Sequence, residues 1–286
     1  MEDADSNSAP LAGRAFVIIG GTTGLGLAGA TACLRSGGSV VVTGRSPDSL
    51  DKAQNTLASF GRAVGVVGDA QDADHSCEAV ARCVESFGRF DGLYHVAGGS
   101  GRRFGDGPLH EVTDDGIDAT LSLNLGSMIK SNRAAVDAWL NGKSGGATSG
   151  SILNMGSVLG SYPSPHHFAT HVYAASKAAA IGFTRSCAAY YAGHDIRFNI
   201  VAPALVETPM AQRAVGDESI ADFVSRKQPL AGGRVGRPDD LDGAVIYLLS
   251  DQSRYVTGQV LNVDGGWSVS EGHAAVRVEH HEGGRS

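Results

Sequence analysis

Seven short, nearly unbroken apolar runs punctuate the chain: Ala15–Ile19, Ser39–Thr43, Ala63–Val67, Gly92–Val96, Ser151–Met155, Ile196–Val201 and Gln259–Val263. Apolar residues at both odd and even positions predict strands covered on both faces, as in a parallel sheet. Between these runs the apolar spacing changes to that of helices. Leu25–Ser36 reads as one helix, and Asp72–Phe87 places Ala73, Cys77, Val80 and Val84 on a single face. Thr113-Asp114-Asp115 has the composition of a helix start, with acidic residues at the positive end of the dipole, and the segment from Gly116 to Leu140 continues as one apolar-periodic helix. The alternation predicts an α/β fold: one open, doubly wound, seven-stranded parallel sheet flanked by helices. No composition shift or internal repeat divides residues 11–270, so they are read as one domain. Residues 1–10 read as a disordered lead-in, residues 271–286 as a polar tail, and Asn141–Gly150 as a mobile Gly/Ser loop.

Composition narrows the function classes. A chain of 286 residues can bury a sizeable core, and its 40 glycines cluster at the ends of apolar runs rather than at a fixed period. A formal charge of −7, with no basic run longer than Arg102-Arg103, argues against a nucleic-acid partner held through phosphates. Cys33, Cys77, Cys83 and Cys187 lack metal-type spacing and read as buried small hydrophobes in a reducing compartment. The acidic N-terminus is unlike a signal peptide, and no apolar run approaches the ~20 residues of a membrane span. The expectation is a cytoplasmic protein without a membrane partner.

Chemistry enters at two places. The first strand runs into Gly20-Gly21-Thr22-Thr23-Gly24-Leu25-Gly26 and then a helix. Glycines allow the tight turn and a close backbone approach to a pyrophosphate, and the helix start supplies free N–H groups. The second strand ends Val42-Thr43-Gly44-Arg45. An acid there would accept a hydrogen bond from an adenine ribose; Arg45 instead suits a 2′-phosphate, which predicts NADP(H) over NAD(H).

The second place is Tyr173-Ala174-Ala175-Ser176-Lys177, sixteen residues after Ser157. Tyr173 and Lys177, at i and i+4, share a helical face. A phenol with an ordinary pKa of ~10 is a poor base at neutral pH, and an adjacent ammonium would favour the phenolate. Together the two features suggest hydride transfer at a carbonyl, with Tyr173 moving the proton.

In this order and spacing the motifs resemble the short-chain dehydrogenase/reductase family, in its single-domain, Rossmann-type branch, from about Leu11 to Val269. The resemblance rests on the Gly-x3-Gly-x-Gly turn, Asp69, Ala97-Gly98, Asn124, Ser157, Tyr173/Lys177, Pro203, Thr208 and Val263-Asp264-Gly265-Gly266. It implies an NADP(H)-dependent oxidoreductase acting on a small-molecule ketone or secondary alcohol, working as a homotetramer or homodimer. Tyr173 would be the general acid/base, and Lys177 would lower its pKa and hold the nicotinamide ribose. Ser157 would bind the substrate oxygen, and Asn124 would position Lys177 through its helix and a water. Gly20, Thr22, Gly24, Leu25, Gly26 and Arg45 would lie along the cofactor, with Asp69 and Ala70 near adenine. Ala97, Gly98, Pro203, Val206 and Thr208 would reach the nicotinamide side, together with Tyr173 and Lys177.

Three departures concern the cofactor pocket. Ile19 stands where the family has Thr, removing a hydrogen bond in the turn; His95-Val96 replaces Asn-Asn, and Ala204 replaces Gly. The Ser157–Tyr173 gap is a few residues longer than usual, and Ser161 is a rival to Ser157. Residues 161–171 would form a substrate-facing lip, their histidines 166, 167 and 171 leaving metal binding as a minor possibility. Residues 205–235 would form a substrate lid, with Val206, Met210 and Phe223 as apolar lining. Arg102 and Arg103 either bring positive charge to an acidic substrate or are simply solvated. The alternatives for the whole chain are a non-catalytic cofactor-binding sensor or scaffold on the same fold, and an isomerase or epimerase, for which too little chain remains.

Overall fold

Alternate residues of the central strands face opposite layers, which is why their apolar runs have no polar gaps. In the computed structural model, which describes residues 9–273, β1 (Ala15–Ile19) is buried throughout. Phe16 and Ile18 pack with Val40, Val42 and Tyr94 toward one layer, while Ala15, Val17 and Ile19 pack with Val41, Leu93 and Ile152 toward the other. Fully burying one such side chain contributes roughly 1.5–3 kcal/mol. The lead-in 1–10 lies outside the described residues except for Ala9 and Pro10, and the tail 271–286 lies outside them beyond His273.

The elements follow the expected alternation. After β1 come α1 (Gly24–Arg35), β2 (Ser39–Gly44), α2 (Pro47–Leu57), β3 (Ala63–Val67), α3 (Ala73–Phe87) and β4 (Gly92–His95). Then follow α4 (Asp114–Leu121), α5 (Ser127–Leu140), β5 (Gly150–Met155), α6 (His171–Tyr191) and β6 (Ile196–Pro203). The chain continues through α7 (Gln212–Val215), α8 (Glu218–Lys227), α9 (Asp242–Leu249) and β7 (Val260–Val263). The strands form one parallel sheet in the order β3-β2-β1-β4-β5-β6-β7. Residues of α1, α2 and α9 fill one layer and residues of α3, α5 and α6 the other. The strand order reverses between β1 and β4, so a crevice opens beyond their C-terminal ends, where open α/β sheets bind ligands.

Three expectations change. The helix from Gly116 to Leu140 is two helices, because a wider π turn at Ser122–Gly126 separates α4 from α5. Cys77 is exposed on α3, whereas Cys33 and Cys83 are buried and Cys187 is half-buried; the buried face of α3 runs through His75, Ser76, Ala79, Val80 and Cys83, and Cys77 lies off it. The Asn141–Gly150 loop is pinned rather than free. Ser144 is buried, its carbonyl accepts from the Phe90 amide at 3.0 Å, and its hydroxyl donates to the Ala147 carbonyl.

Candidate active site

The glycine turn crosses the end of β4 at the switch point, and contact distances explain its composition. A Cβ on Gly20 would lie 2.8 Å from the Ala97 nitrogen, and one on Gly26 would lie 2.0 Å from the Gly20 carbonyl oxygen. Gly20 and Gly24 also have φ of 82° and 50°, which other residues rarely adopt. Gly26 is therefore a packing residue, buried beneath the turn rather than lining the crevice. The hydrogen bond that Ile19 cannot provide comes from the neighbouring strand: the Gly20 amide donates to Thr43 Oγ1 at 3.3 Å. The first turn of α1 has no side-chain cap and no acidic residue, leaving its N–H groups for an anion.

A cavity of about 770 Å³ runs from this turn across the sheet ends. At one end it is lined by Thr22, Thr43, Gly44, Arg45, Asp69 and Ala70, next to Gly20, Gly24 and Leu25. Midway it meets Ala97, Gly98, Pro203, Val206 and Thr208. This uncapped helix start, the crowded glycines and the free Arg45 side chain suit a phosphorylated dinucleotide, which these residues would hold. Among the described residues Arg45 forms no ion pair.

Ser157, Tyr173 and Lys177 converge on the middle of the cavity. Ser157 follows β5; its hydroxyl accepts the Leu159 amide at 3.2 Å and stands against the Tyr173 phenol, whose pKa it lowers. Ser161 is exposed and outside the cavity lining. Lys177 Nζ lies 5.7 Å from the Tyr173 ring centre and donates to the Met155 carbonyl at 2.9 Å. Burial holds the Lys177 ammonium down to about 8. The expected lowering of the Tyr173 pKa is reversed in the protein alone. Burial raises it, only partly offset by the Ser157 hydrogen bond, so the phenol keeps its proton at neutral pH.

Asn124 stands behind the site and outside the cavity lining. It is buried in the π turn, its amide donating to the carbonyls of Gly99 and Thr120, both at 2.9 Å, and its oxygen accepting the Gly99 amide at 3.0 Å. Its side chain thus clamps the segment after β4. Gly98 is needed there, since a Cβ would lie 2.7 Å from Asn124 Oδ1 and 3.6 Å from Lys177 Nζ. His95 supplies the altered bracing of β4, its ring nitrogens 2.8 Å from Ser131 Oγ and 3.3 Å from Ser127 Oγ on α5. Burial, aided by the Lys177 charge, pushes His95 down to about 3, so it stays neutral.

Several groups escaped the sequence reading. Asp106 is buried, and its carboxylate accepts the amides of Val172 at 3.1 Å and Tyr173 at 2.9 Å. It caps α6, whose own N-cap residue Thr170 makes no side-chain bond, and so fixes the backbone of Tyr173 from sixty-seven positions away. Asp106→Ala is expected to lower the unfolding free energy by about 1–2 kcal/mol, read as an earlier denaturant midpoint. Trp267, just past Asp264-Gly265-Gly266, lines the substrate half with Phe168. The two rings lie 5.8 Å apart, and Phe223 backs Trp267 at 5.6 Å without itself lining the cavity. Val206 and Met210 do line it, and the lid is closed at its base by a bridge between Val206 and Gly236. Among the histidines of the lip, His167 packs on Phe223 at 4.8 Å, and no three-residue His/Cys/Asp/Glu cluster suited to a metal occurs among the described residues. No helix among them is long and apolar enough to cross a membrane.

Comparison with known proteins bears on the family and the fold. A family model described as Enoyl-(Acyl carrier protein) reductase matches residues 20–268. The chain is 33% identical over 257 residues to the 3-oxoacyl-acyl-carrier-protein reductase of Thermotoga maritima, covering 90% of this chain and 98% of that protein. It is 32% identical to the gluconate 5-dehydrogenase of Gluconobacter oxydans, over 91% of this chain and 96% of that one. A short-chain type dehydrogenase/reductase from Mycobacterium ulcerans superposes with a TM-score of 0.83 at 26% identity, covering 91% of both chains. A Beutenbergia cavernae protein described as an NAD(P)-dependent gluconate 5-dehydrogenase, with NADP bound at low occupancy, gives a TM-score of 0.81 at 30% identity, covering 92% of this chain and all of that one.

Proposed function

The chain belongs to the short-chain dehydrogenase/reductase family of oxidoreductases, and we propose that it is an NADP(H)-dependent enzyme interconverting a ketone and a secondary alcohol. The observation that carries this reading is the Ser157–Tyr173–Lys177 cluster, buried in the middle of a cavity whose far end is the glycine turn. NADP(H), held by the turn, Arg45, Asp69 and Thr208, would supply the carbon that donates or accepts the hydride. In reduction Tyr173 Oη donates its proton to the carbonyl oxygen, and in oxidation it takes the alcohol proton. Ser157 Oγ, beside the Tyr173 phenol, hydrogen-bonds the same substrate oxygen and stabilises its developing negative charge. The Lys177 ammonium stabilises the phenolate left behind. Asn124 keeps Gly98 and Gly99 close against Lys177 and acts as a positioning residue.

The relatives' names span an acyl-carrier-protein thioester, a gluconate and other substrates, so they do not single out one for this chain. The test is NADPH oxidation, followed at the nicotinamide absorbance, across 3-oxoacyl thioesters, sugars, steroids and quinones. Turnover of none of them, with NADPH bound, would favour a non-catalytic sensor instead.

Cofactor choice has its own test. Arg45 lines the cavity beside Thr22 and Gly44, where an arginine would pair with a 2′-phosphate. Arg45→Ala is expected to cut the ratio of kcat/KM for NADPH over NADH by about 10–100-fold, the equivalent of one charge-assisted hydrogen bond. A preference for NADH in the parent, unchanged in the variant, would sink the assignment.

A further inference from the structure

The chain carries a net charge of −7, yet the cavity it builds is electropositive. Its lining includes Arg45, Arg102, Arg103, Lys177 and Arg213, and a single carboxylate, Asp69, at the β3 end. Arg102 comes from the segment after β4 and Arg213 from α7, so two distant parts of the chain bring guanidiniums to one cavity. Arg102 is oriented by donating to the His167 carbonyl at 3.4 Å. Burial and the facing charge of Arg213 both disfavour its protonated form.

The acids in reach do not neutralise this pair. Asp106 lies near Arg102, but both of its oxygens are taken by the amides at the start of α6. Asp217 lies near Arg213, but it caps α8 through Ser219 and Ile220. Among the described residues neither arginine has a carboxylate within ion-pair distance. Arg103 differs, because its guanidinium stacks on its neighbour Phe104 at 4.5 Å. Two like charges held in one cavity repel, and an anion placed between them removes the repulsion while gaining charge-assisted, planar hydrogen bonds. The same cavity is lined by Leu159, Phe168, Met210 and Trp267, a surface for an apolar body.

We propose that Arg102 and Arg213 form an anion subsite, and that the substrate is a carbonyl compound with an apolar body ending in a carboxylate or similar anion. The inference rests on the ketone-reductase reading for the word carbonyl, but the anion subsite stands without it. Its test therefore separates binding from turnover. The protein is saturated with NADP⁺, and 4-phenylbutyrate and methyl 4-phenylbutyrate are titrated by calorimetry. NADPH-dependent reduction of 4-acetylbenzoate and its methyl ester is measured in parallel.

The parent is expected to bind the carboxylate at least about tenfold tighter than the ester, a preference that weakens as salt rises. In Arg102→Gln/Arg213→Gln the ratio is expected to fall to near unity, with ester affinity and melting temperature unchanged. A parent without the preference, or a double variant that keeps it, overturns the subsite. So does a double variant that loses NADPH affinity while keeping the ratio, because the arginines would then serve the cofactor phosphates. A preference that disappears in the double variant, with neither ketone reduced, leaves the subsite standing and overturns the reductase reading.

Discussion

Tyr173→Phe is expected to lower kcat by on the order of 10³-fold while leaving NADP(H) affinity within a few-fold of the parent. The substitution removes one oxygen and keeps the ring, so α6 and its Asp106 cap are unchanged. Ser157 still accepts the Leu159 amide and stays in place. What disappears is the phenol proton beside Ser157, which burial keeps in place at neutral pH. Fluorescence titration of NADPH and steady-state rates on the same preparation check both halves. A variant that turns over at near the parent rate would show that the proton comes from elsewhere.

Lys177→Met is expected to abolish turnover and yet stabilise the protein. The ammonium is buried at 3% exposure and held down to about 8 from an ordinary 10.5. Such a shift means that burying the charged form costs about 3 kcal/mol at neutral pH. Losing the hydrogen bond to the Met155 carbonyl returns about 1 kcal/mol, so the net gain is about 2 kcal/mol, or roughly 5 °C in Tm.

The pH dependence gives the sign independently. Because the folded pKa lies below the unfolded one, the unfolded chain binds more protons between about 8 and 10.5. Parent stability therefore rises with pH through that window, and the advantage of the variant, full below pH 8, shrinks toward zero above it. Thermal melts at several pH values read this directly. Over the same range the reductive rate of the parent is expected to fall as pH passes about 8, since Lys177 loses the charge that stabilises the phenolate. A variant less stable than the parent at pH 7 would show that Lys177 also serves the fold. A buried cation kept at such cost for its chemistry is the usual form of a stability–activity trade-off.

Local patterns made much of this legible. Unbroken apolar runs set the seven strands, because both faces of a parallel sheet are covered and each strand reports its own burial. Thr113 read correctly as a helix start, its hydroxyl accepting the Gly116 amide at 3.0 Å. The glycine turn and the Tyr173–Lys177 spacing were equally visible, since a turn and a helix face are each contained within a few residues. Where strand ends moved by one or two residues, pairing with a neighbour decided the boundary, as when Pro203 pairs with Val263.

The rest depended on residues far apart in the chain. Nothing around Asp106 marks it as the cap of α6, and nothing around Thr43 marks it as the acceptor that replaces a threonine before Gly20. The π turn at Asn124 forms because its amide is satisfied by Gly99, whose position only the β1–β4 crevice defines. Arg102-Arg103 read equally well as solvated loop residues, until the fold brought Arg213 to the same cavity as Arg102. By itself, then, the sequence determined the sheet, the glycine turn and the placing of Tyr173 and Lys177 on one helical face, because periodicity and short spacing encode each one locally. Only the tertiary structure decided what surrounds that pair: the burial that sets the Tyr173 and Lys177 pKa values, and the charges that face the substrate. Those are properties of a cavity assembled from distant segments, and no single stretch of chain contains one.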